Sequence, residues 1–164
     1  KATGAILLHR LDMSTSGLLM FTLNPKANKR MQRKFIKRQV NKTYIADIVG
    51  TLEEDEGIIS LPLAPDYYDL PRQMVCHKTG KPSKTRWSVV ERMEGITRLA
   101  MKPETGRTHQ LRVHCAHSEG LGLPIVGDEL YGVIRERLHL HAYKLEFQHP
   151  TTKELITITA PIPF

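Results

Sequence analysis

The sequence predicts an α+β domain built on a mixed, mostly antiparallel sheet with a few flanking helices. Three observations support this fold class: several segments have the alternation or apolar character of strands, two of them are spaced as a hairpin, and two other segments have helical patterns. The 164 residues contain no repeat, low-complexity tract or long linker, so we expect one domain.

Five segments are predicted to be strands, at residues 17–23, 42–50, 85–93, 96–102 and 155–160. The third and fourth segments form a hairpin that turns near Glu94 and Gly95. The Pro-rich segment 61–73 and the sequence TGKP at 79–82 are predicted to be a loop and a turn.

Two helices are predicted. The first covers residues 24–40, because Asn24 is a suitable N-cap, Pro25 fits the first turn, and apolar residues follow at helical spacing. These apolar residues are Ala27, Met31, Phe35 and Ile36. The second helix covers about 108–118, after the turn PETG, with Leu111 and Cys115 on its inner face.

Positive charge is concentrated on the first predicted helix. The formal net charge is +7, and the segment between Asp12 and Asp47 holds eight Lys or Arg residues and no acid. The remaining 16 basic and 17 acidic residues nearly cancel. A solvated helix face is the ordinary reason for a charge run. Because no acid neutralises these side chains, we favour a surface that binds a polyanion such as nucleic acid.

The spacing of cysteine and histidine indicates neither a disulfide framework nor a metal site. Cys76 and Cys115 lack the pattern of paired metal ligands and are predicted to be reduced thiols. His109 and His114 are five residues apart, whereas zinc-binding helices usually place histidines four apart. Neither a long apolar run nor a secretory leader is present, so we predict a cytoplasmic protein with no membrane partner.

Three blocks stand in order along the chain: HRLDMSTSGLL at 9–19, NKTYIADIVG at 41–50 and TGRTHQLRVH at 105–114. They resemble the signature blocks of the RluA family of RNA pseudouridine synthases, and VCHKTGKPSKT at 75–85 is similar to the branch that modifies ribosomal and transfer RNA. The resemblance implies that family's catalytic fold and a reaction without a cofactor or metal. The family carries further strands before the first block, so residues 1–164 are expected to be a single, N-terminally incomplete catalytic domain.

The chemistry of uridine isomerisation explains why a carboxylate would be needed at position 12. The glycosidic bond from N1 must break, the uracil must turn, and C5 must join C1′ of the same ribose. A carboxylate at the ribose can stabilise its developing positive charge, bond to it covalently, or abstract the 2′ proton. The resemblance implies that Asp12 is the essential residue. From the residues alone, Asp12 could equally be a turn former.

The resemblance also implies that Tyr44 and Arg112 belong to the active site. We expect Arg112 to pair with Asp12, because a carboxylate in an apolar pocket is costly unless it is paired. Tyr44 is expected to stack on the uracil, and its hydroxyl is a candidate general base for the C5 proton. The alternatives are a surface charge for Arg112 and a core aromatic residue for Tyr44.

A uridine stacked in folded RNA must be flipped out to reach such a pocket, at a cost of a few kcal/mol. Arg10 is expected to fill the vacated space or to bind a phosphate, and Leu111 to form an apolar wall of the pocket. The remaining candidates either bind the RNA backbone or hold the geometry of the loops, and they are His9, Thr15, Ser16, Arg107 and His109.

Two other classes of function fit part of the sequence. A non-catalytic RNA-binding module would also carry the basic helix. A glycosidase or nuclease usually needs paired carboxylates or an acid cluster, and no second acid lies near Asp12 in the sequence. We favour a synthase that acts on RNA as a monomer.

The basic helix generates the first testable prediction. Replacing Lys29, Arg33 and Lys37 by Gln should weaken binding to many RNAs by similar factors. The dependence of affinity on salt should also become flatter, since each lost phosphate contact releases fewer counterions. Titrations at several salt concentrations measure this slope, and an unchanged slope excludes the helix from the interface.

Overall fold

A computed structural model describes residues 4–164. Within them the chain forms ten strands and two helices, in the order β1 (Ile6–Leu7), β2 (Ser16–Gly17), β3 (Phe21–Thr22), α1 (Pro25–Ile36), β4 (Val40–Val49), β5 (Glu56–Pro65), β6 (Gln73–Val75), β7 (Lys81–Met93), β8 (Ile96–Pro103), α2 (Gln110–Ala116), β9 (Leu140–Gln148) and β10 (Leu155–Thr159). Neither helix is long and apolar enough to cross a membrane.

One mixed sheet of eight strands organises the fold. Seven strands follow the order β10, β9, β4, β8, β7, β5, β6 with antiparallel pairing, and β2 joins the edge of β9 in parallel. The short strands β1 and β3 form a separate antiparallel pair. The predicted fold class is therefore confirmed, and so is the hairpin of β7 and β8, which turns at Glu94 and Gly95.

Several predicted boundaries are wrong. The segment 17–23 is not one strand, because β2 pairs with β9 while β3 pairs with β1. The helix predicted over 24–40 ends at Ile36, since Arg38 takes a left-handed conformation with φ 55° and turns the chain into β4.

The first half of the predicted Pro-rich loop belongs to β5. Pro62 lies opposite Pro82 of β7, a cross-strand position at which neither residue has an N–H to donate. Besides β5, three strands are absent from the predicted segments, namely β1, β6 and β9.

The helices cover different parts of the sheet. Residues Gln110–Cys115 of α2 are all buried, and Leu111 and Cys115 belong to the main apolar cluster with Ile48 and Met101. In α1, Met31 is 2% exposed and packs with strand residues of β4 and β9, whereas Ile36 is 79% exposed and does not belong to the predicted stripe. The basic side chains of α1 therefore remain on its outer face.

A buried hydrogen-bond network ties α2 to β7. The two ring nitrogens of His114 lie 2.8 Å from Ser83 Oγ and 2.9 Å from Thr85 Oγ1. Burial lowers the pKa of His114 to about 4, so the imidazole is neutral at physiological pH. Since the Ser83 hydroxyl donates to the Leu61 carbonyl, it accepts from His114 Nε2–H. His114 thus serves the packing of α2.

The HRLD block is held to the sheet by β2. Gly17 has φ +111°, and a Cβ there would collide with the backbone of Ala142, whose nitrogen would lie 2.6 Å away. The neighbouring Ser16 hydroxyl lies 2.9 Å from His141 Nδ1. The close approach of β2 to β9 therefore requires glycine at position 17.

Gly17→Ala should lower the free energy of unfolding by about 2–4 kcal/mol, because strain from the left-handed backbone adds to the collision with Ala142. Gly95→Ala is the matched control: Gly95 also has positive φ, 68°, but no atom lies within 4 Å of its Cβ position. It should lose only about 1–2 kcal/mol. Urea unfolding of both variants measures the difference, and equal losses would show that the approach to Ala142 is not constrained.

Candidate active site

The three sequence blocks meet at one cleft of about 1130 Å³. Seven of the ten predicted site residues line this cleft, and they are His9, Arg10, Asp12, Thr15, Tyr44, Arg107 and Leu111. The other three, Ser16, His109 and Arg112, are not among its lining residues. The fold therefore brings together side chains that are up to about a hundred positions apart in the sequence.

Asp12 lies at the start of a tight turn in the loop before β2. The Thr15 N–H donates to the Asp12 carbonyl at 2.9 Å. The Ser14 hydroxyl, in the same turn, donates to Glu129 Oε1 at 3.1 Å. Within residues 4–164 the Asp12 carboxylate forms no ion pair, and it faces the cleft half-buried. The turn thus fixes the backbone of Asp12 and leaves its charge free.

Tyr44 projects from the middle of β4 into the same cleft. Burial, together with the nearby charge of Asp12, raises the pKa of Tyr44 to about 12. The phenol is therefore protonated at neutral pH. Its proximity to Asp12 agrees with the joint placement expected from the two sequence blocks.

Arg112 has different partners from the one expected. Its Nε and Nη2 donate to the two carboxylate oxygens of Asp128 at 2.9 and 2.6 Å, and Nη2 also contacts Glu129 Oε1 at 3.2 Å. The expected ion pair between Arg112 and Asp12 is absent from residues 4–164. The reason is geometric: Arg112 is 2% exposed and Asp128 is fully buried beside it, so the guanidinium is already neutralised inside the protein. Burial opposes the charged form of Arg112, but Asp128 outweighs it and the pKa of Arg112 is raised.

Glu129 connects Arg112 to the loop of Asp12. The same oxygen, Glu129 Oε1, accepts from Arg112 Nη2 and from the Ser14 hydroxyl. Arg112 therefore acts on the Asp12 turn through one carboxylate and one hydroxyl. Glu129 was not a predicted site residue.

Asp128 is positioned by a turn of its own. Its Oδ1 accepts from the N–H groups of Leu130 and Tyr131, both at 3.0 Å. The preceding Gly127 has φ +74°, and a Cβ there would collide with the Arg137 carbonyl. The sequence GDELYG at 127–132 shows this turn chemistry, with two acids after a glycine, and is the signal by which Asp128 and Glu129 could have been found.

Tyr131 completes the network behind the cleft. Its ring lies 5.3 Å from the Arg112 guanidinium, and its hydroxyl accepts the Gln73 N–H at 2.7 Å and lies 2.8 Å from His109 Nδ1. Burial raises the pKa of Tyr131 to about 12, and burial lowers the pKa of His109. The Tyr131 hydroxyl is therefore protonated and the His109 ring neutral, so one of the two donates the hydrogen bond between them.

Four of the predicted RNA-contact residues have side-chain partners inside the protein: His109, described above; Arg107, whose Nε donates to the Pro82 carbonyl at 3.2 Å; and His9 and Ser16. His9 stacks on Phe35 with a ring-centroid separation of 5.4 Å, and its Nε2 accepts the Met20 N–H at 3.2 Å. The Ser16 hydroxyl contacts His141 and accepts from Arg137 Nη2. These contacts support the second of the two uses considered for His9 and Ser16, which was to hold loop geometry.

The charge of the cleft is predominantly positive. Its cationic lining residues are Arg10, Arg38, Lys42, Arg86, Lys102 and Arg107, and its acids are Asp12, Glu104 and Glu146. Arg10 and Arg107 are exposed at its surface. Such a cleft suits a polyanion that places one neutral base near Asp12.

A family model described as RNA pseudouridylate synthase matches residues 2–117. The chain belongs to this family. It is similar to proteins named dual-specificity RNA pseudouridine synthase RluA: 44% identity to that of Pasteurella multocida, over 95% of this chain and 73% of the relative, and 43% to that of Vibrio vulnificus, over 96% and 66%. The chain thus spans about two thirds to three quarters of these relatives, and it is an isomerase of the RluA type.

Solved structures agree with this assignment. The human protein RNA Pseudouridylate Synthase Domain Containing 1 superposes with a TM-score of 0.85 at 35% identity, over 98% of this chain and 70% of the human one. Human RNA Pseudouridylate Synthase Domain Containing 4 has a TM-score of 0.79 at 23% identity, over 99% and 73%, which shows the common fold.

The ion pair of Arg112 and Asp128 leads to a stability prediction. Asp128→Asn should lower the free energy of unfolding by about 3–5 kcal/mol, because it leaves a buried guanidinium without its main counter-charge. Glu129→Gln is the control. The ion pair between Arg112 and Glu129 is partly open to solvent, since the Glu129 side chain is 35% exposed. Its loss should therefore lower the free energy of unfolding by about 1 kcal/mol or less. Urea unfolding at neutral pH measures both, and losses of equal size would contradict the central place of Asp128.

Proposed function

We propose that this synthase isomerises uridine to pseudouridine in folded ribosomal and transfer RNA, with Asp12 as the residue that acts on the ribose. The observation that carries the proposal is the Asp12 carboxylate, which faces a basic cleft without an ion-pair partner in residues 4–164. A carboxylate already paired to Arg112 would have been less available to a developing positive charge.

The reaction breaks the bond between N1 and C1′, rotates the free uracil and forms a bond between C5 and C1′, so no redox step or external group is needed. Asp12 can stabilise the cationic ribose, bond to C1′, or take the 2′ proton. Each route needs an ionised carboxylate close to the sugar. The fixed backbone of the Asp12 turn supplies the orientation.

Tyr44 and Leu111 are proposed to hold the uracil. The ring of Tyr44 stacks on the base, and Leu111, which belongs to the third signature block, forms an apolar wall of the cleft. With the pKa of Tyr44 at about 12, its hydroxyl can accept the C5 proton only in an ionised form that is scarce at neutral pH. Stacking is therefore its main proposed contribution.

Arg112 is proposed to act as a positioning residue. It is buried behind the cleft, and its link to the reaction runs through Glu129 and Ser14 to the Asp12 turn. The positive charge of Arg112 also helps to keep Glu129 ionised. Burial alone would raise the pKa of Glu129, but backbone hydrogen bonding and Arg112 lower it. The role first expected for Arg112, direct pairing with Asp12, is replaced by this indirect one.

The same facts argue against glycosidase chemistry. Glu129 is a second acid near the Asp12 turn, but a general acid in such enzymes needs a raised pKa. The pKa of Glu129 is lowered, and its carboxylate is already shared between Arg112 and Ser14. A protonated acid partner for Asp12 is therefore not supplied by Glu129.

The target uridine is proposed to be flipped out of the RNA into the cleft. Arg10 is exposed beside Asp12 and can occupy the vacated space, while Arg107 and the basic face of α1 bind phosphates. We propose that the synthase acts on RNA as a monomer. We place this activity in the cytoplasm and assign residues 1–164 to one catalytic domain.

Asp12→Asn tests the proposal. In the complete protein this change should abolish pseudouridine formation while RNA affinity and fold stay nearly intact, because the amide keeps the shape and loses the charge. Asp12→Ala should be equally inactive. The assay is tritium release from RNA labelled at C5 of uridine, since the new bond expels that hydrogen.

Asp69→Asn, in an exposed loop, serves as the control and should keep normal release. Release by the Asp12→Asn variant within about tenfold of the native rate, a change of about 1.4 kcal/mol in the barrier, would reject the role of Asp12.

A further inference from the structure

Lys42 is a cation inside the cleft whose charge has no partner among residues 4–164. Within residues 4–164 its ammonium group forms neither an ion pair nor a hydrogen bond. The cleft acids Glu104 and Glu146 are bound by Arg86 at 2.6 Å and by Lys144 at 3.1 Å. The other cleft-lining cations without an ion pair in the described residues are exposed, whereas Lys42 is half-buried; they are Arg10, Arg38, Lys102 and Arg107. Burial lowers the pKa of Lys42, so the free protein holds this charge at a cost.

The ammonium group lies where two of the signature blocks face each other. Lys42 stands two residues before Tyr44 on β4, and both side chains line the cleft. Its Nζ is 3.9 Å from the position that a Cβ would take at Gly106, in the loop before α2. Its charge also reaches His9, where it contributes to a lowered pKa. Because Gly106 has no side chain, space remains beside the ammonium for a ligand.

The chemistry of an ammonium group selects the kind of ligand. A lysine ammonium is a compact, strongly hydrated point charge, so its desolvation is best offset by a full negative charge. The carbonyl groups of a neutral uracil provide hydrogen-bond acceptors without that charge. A phosphodiester oxygen provides both, and every nucleotide that enters the cleft carries one on each side.

We propose that Lys42 is the phosphate-binding residue of the active-site cleft and holds a phosphodiester adjacent to the flipped uridine. The inference rests on the proposed function, since it requires that a flipped nucleotide enters this cleft. On entry, the phosphate neutralises a cation that the free protein leaves unpaired, and the contact helps to offset the cost of unstacking the base. Lys42 thereby fixes the ribose next to Asp12 through the RNA backbone rather than through the base.

Binding measurements with modified RNA test the contact directly. The probe is an RNA stem-loop with one loop uridine, made with normal phosphates or with a single neutral methylphosphonate at the phosphate 5′ or 3′ of that uridine. Equilibrium affinity is measured for the Asp12→Asn protein, in which turnover does not interfere, with and without Lys42→Met. Protein that retains Lys42 should bind the normal RNA with about tenfold or more higher affinity than one of the two methylphosphonate RNAs, because it loses a hydrogen bond to a charged group.

The decisive result is the coupling between the substitution of Lys42 and the replacement of one phosphate by methylphosphonate. Lys42→Met should lose about tenfold in affinity for normal RNA and little for the methylphosphonate RNA. Lys102→Met is the matched control, because Lys102 is an exposed lysine that lines the same cleft. It should lose the same factor with all three RNAs. Equal losses for Lys42→Met on all three RNAs would overturn the proposal, as would coupling to Lys102 instead.

Two further measurements keep the outcome interpretable. The Lys42→Met protein should unfold at the same temperature as the native protein or higher, because the substitution removes an unpaired charge that is largely desolvated. If the Met variant does not fold, Lys42→Gln is used in its place. Tritium release by the native protein on the stem-loop tests the proposed function separately. If tritium is released but Lys42→Met weakens binding of all three RNAs equally, only the role of Lys42 is rejected. If no tritium is released but the effect of Lys42→Met depends on the phosphate, the synthase mechanism is rejected and the phosphate site stands.

Discussion

The buried ion pair between Arg112 and Asp128 is the interaction on which the rest of the site depends. Arg112 comes from α2 and Asp128 from the turn that follows Gly127, so the pair joins two parts of the chain that have no strand pairing between them. A charge buried to this degree has to be matched by an opposite charge and by hydrogen bonds. Asp128 meets that requirement twice, because it binds the guanidinium and accepts two backbone N–H groups of its own turn.

From this pair the order of the site extends in two directions. Through Glu129 and Ser14 it reaches the turn that carries Asp12. Through Tyr131 it reaches His109 at the start of α2 and the backbone of Gln73 at the start of β6. Arg112 contacts the Tyr131 ring at 5.3 Å, and hydrogen bonds make the outer links, so the Asp12 loop, α2 and the start of β6 are aligned by one network. Arg112 is neutralised by this network, and the Asp12 carboxylate stays available to substrate.

The sequence predicts which residues share the cleft better than it predicts the network behind them. The HRLD block, Tyr44 and Leu111 stand in motifs whose residue types are unusual together, and the fold places them in one cleft. Asp128, Glu129 and Tyr131 lie on a turn whose partners are set by three-dimensional packing, which no local pattern records. Arg112 was therefore matched with the acid visible in the motifs rather than with the acid that lies beside it in space.

The strands show the same contrast. The hairpin of β7 and β8 has a clear alternation and a glycine turn with positive φ, and its turn and β8 are predicted nearly to the residue. Strand β7 begins four residues earlier than predicted, at Lys81, within the segment 79–82 expected to be a turn. Strand β9 was missed although it pairs with three others, because its buried His141 and Ala142 interrupt the apolar pattern. Strand β5 was hidden by prolines that only the register with β7 makes acceptable. Pairing partners, unlike alternation, cannot be read from one segment alone.

The distribution of protons limits which groups can act at neutral pH. Tyr44 and Tyr131 each have a pKa of about 12 and keep their hydroxyl protons, and burial lowers the pKa of His109 so that its ring is neutral. Nδ1 of that ring is already hydrogen-bonded to Tyr131, and His109 is not among the residues that line the cleft, which argues against His109 as a base. Among the acids that line the cleft in the described chain, Asp12 is the one without an ion-pair partner, since Glu104 and Glu146 are both paired. A mechanism in which Asp12 serves the ribose first and receives or relays a proton later needs no second general acid or base in the cleft.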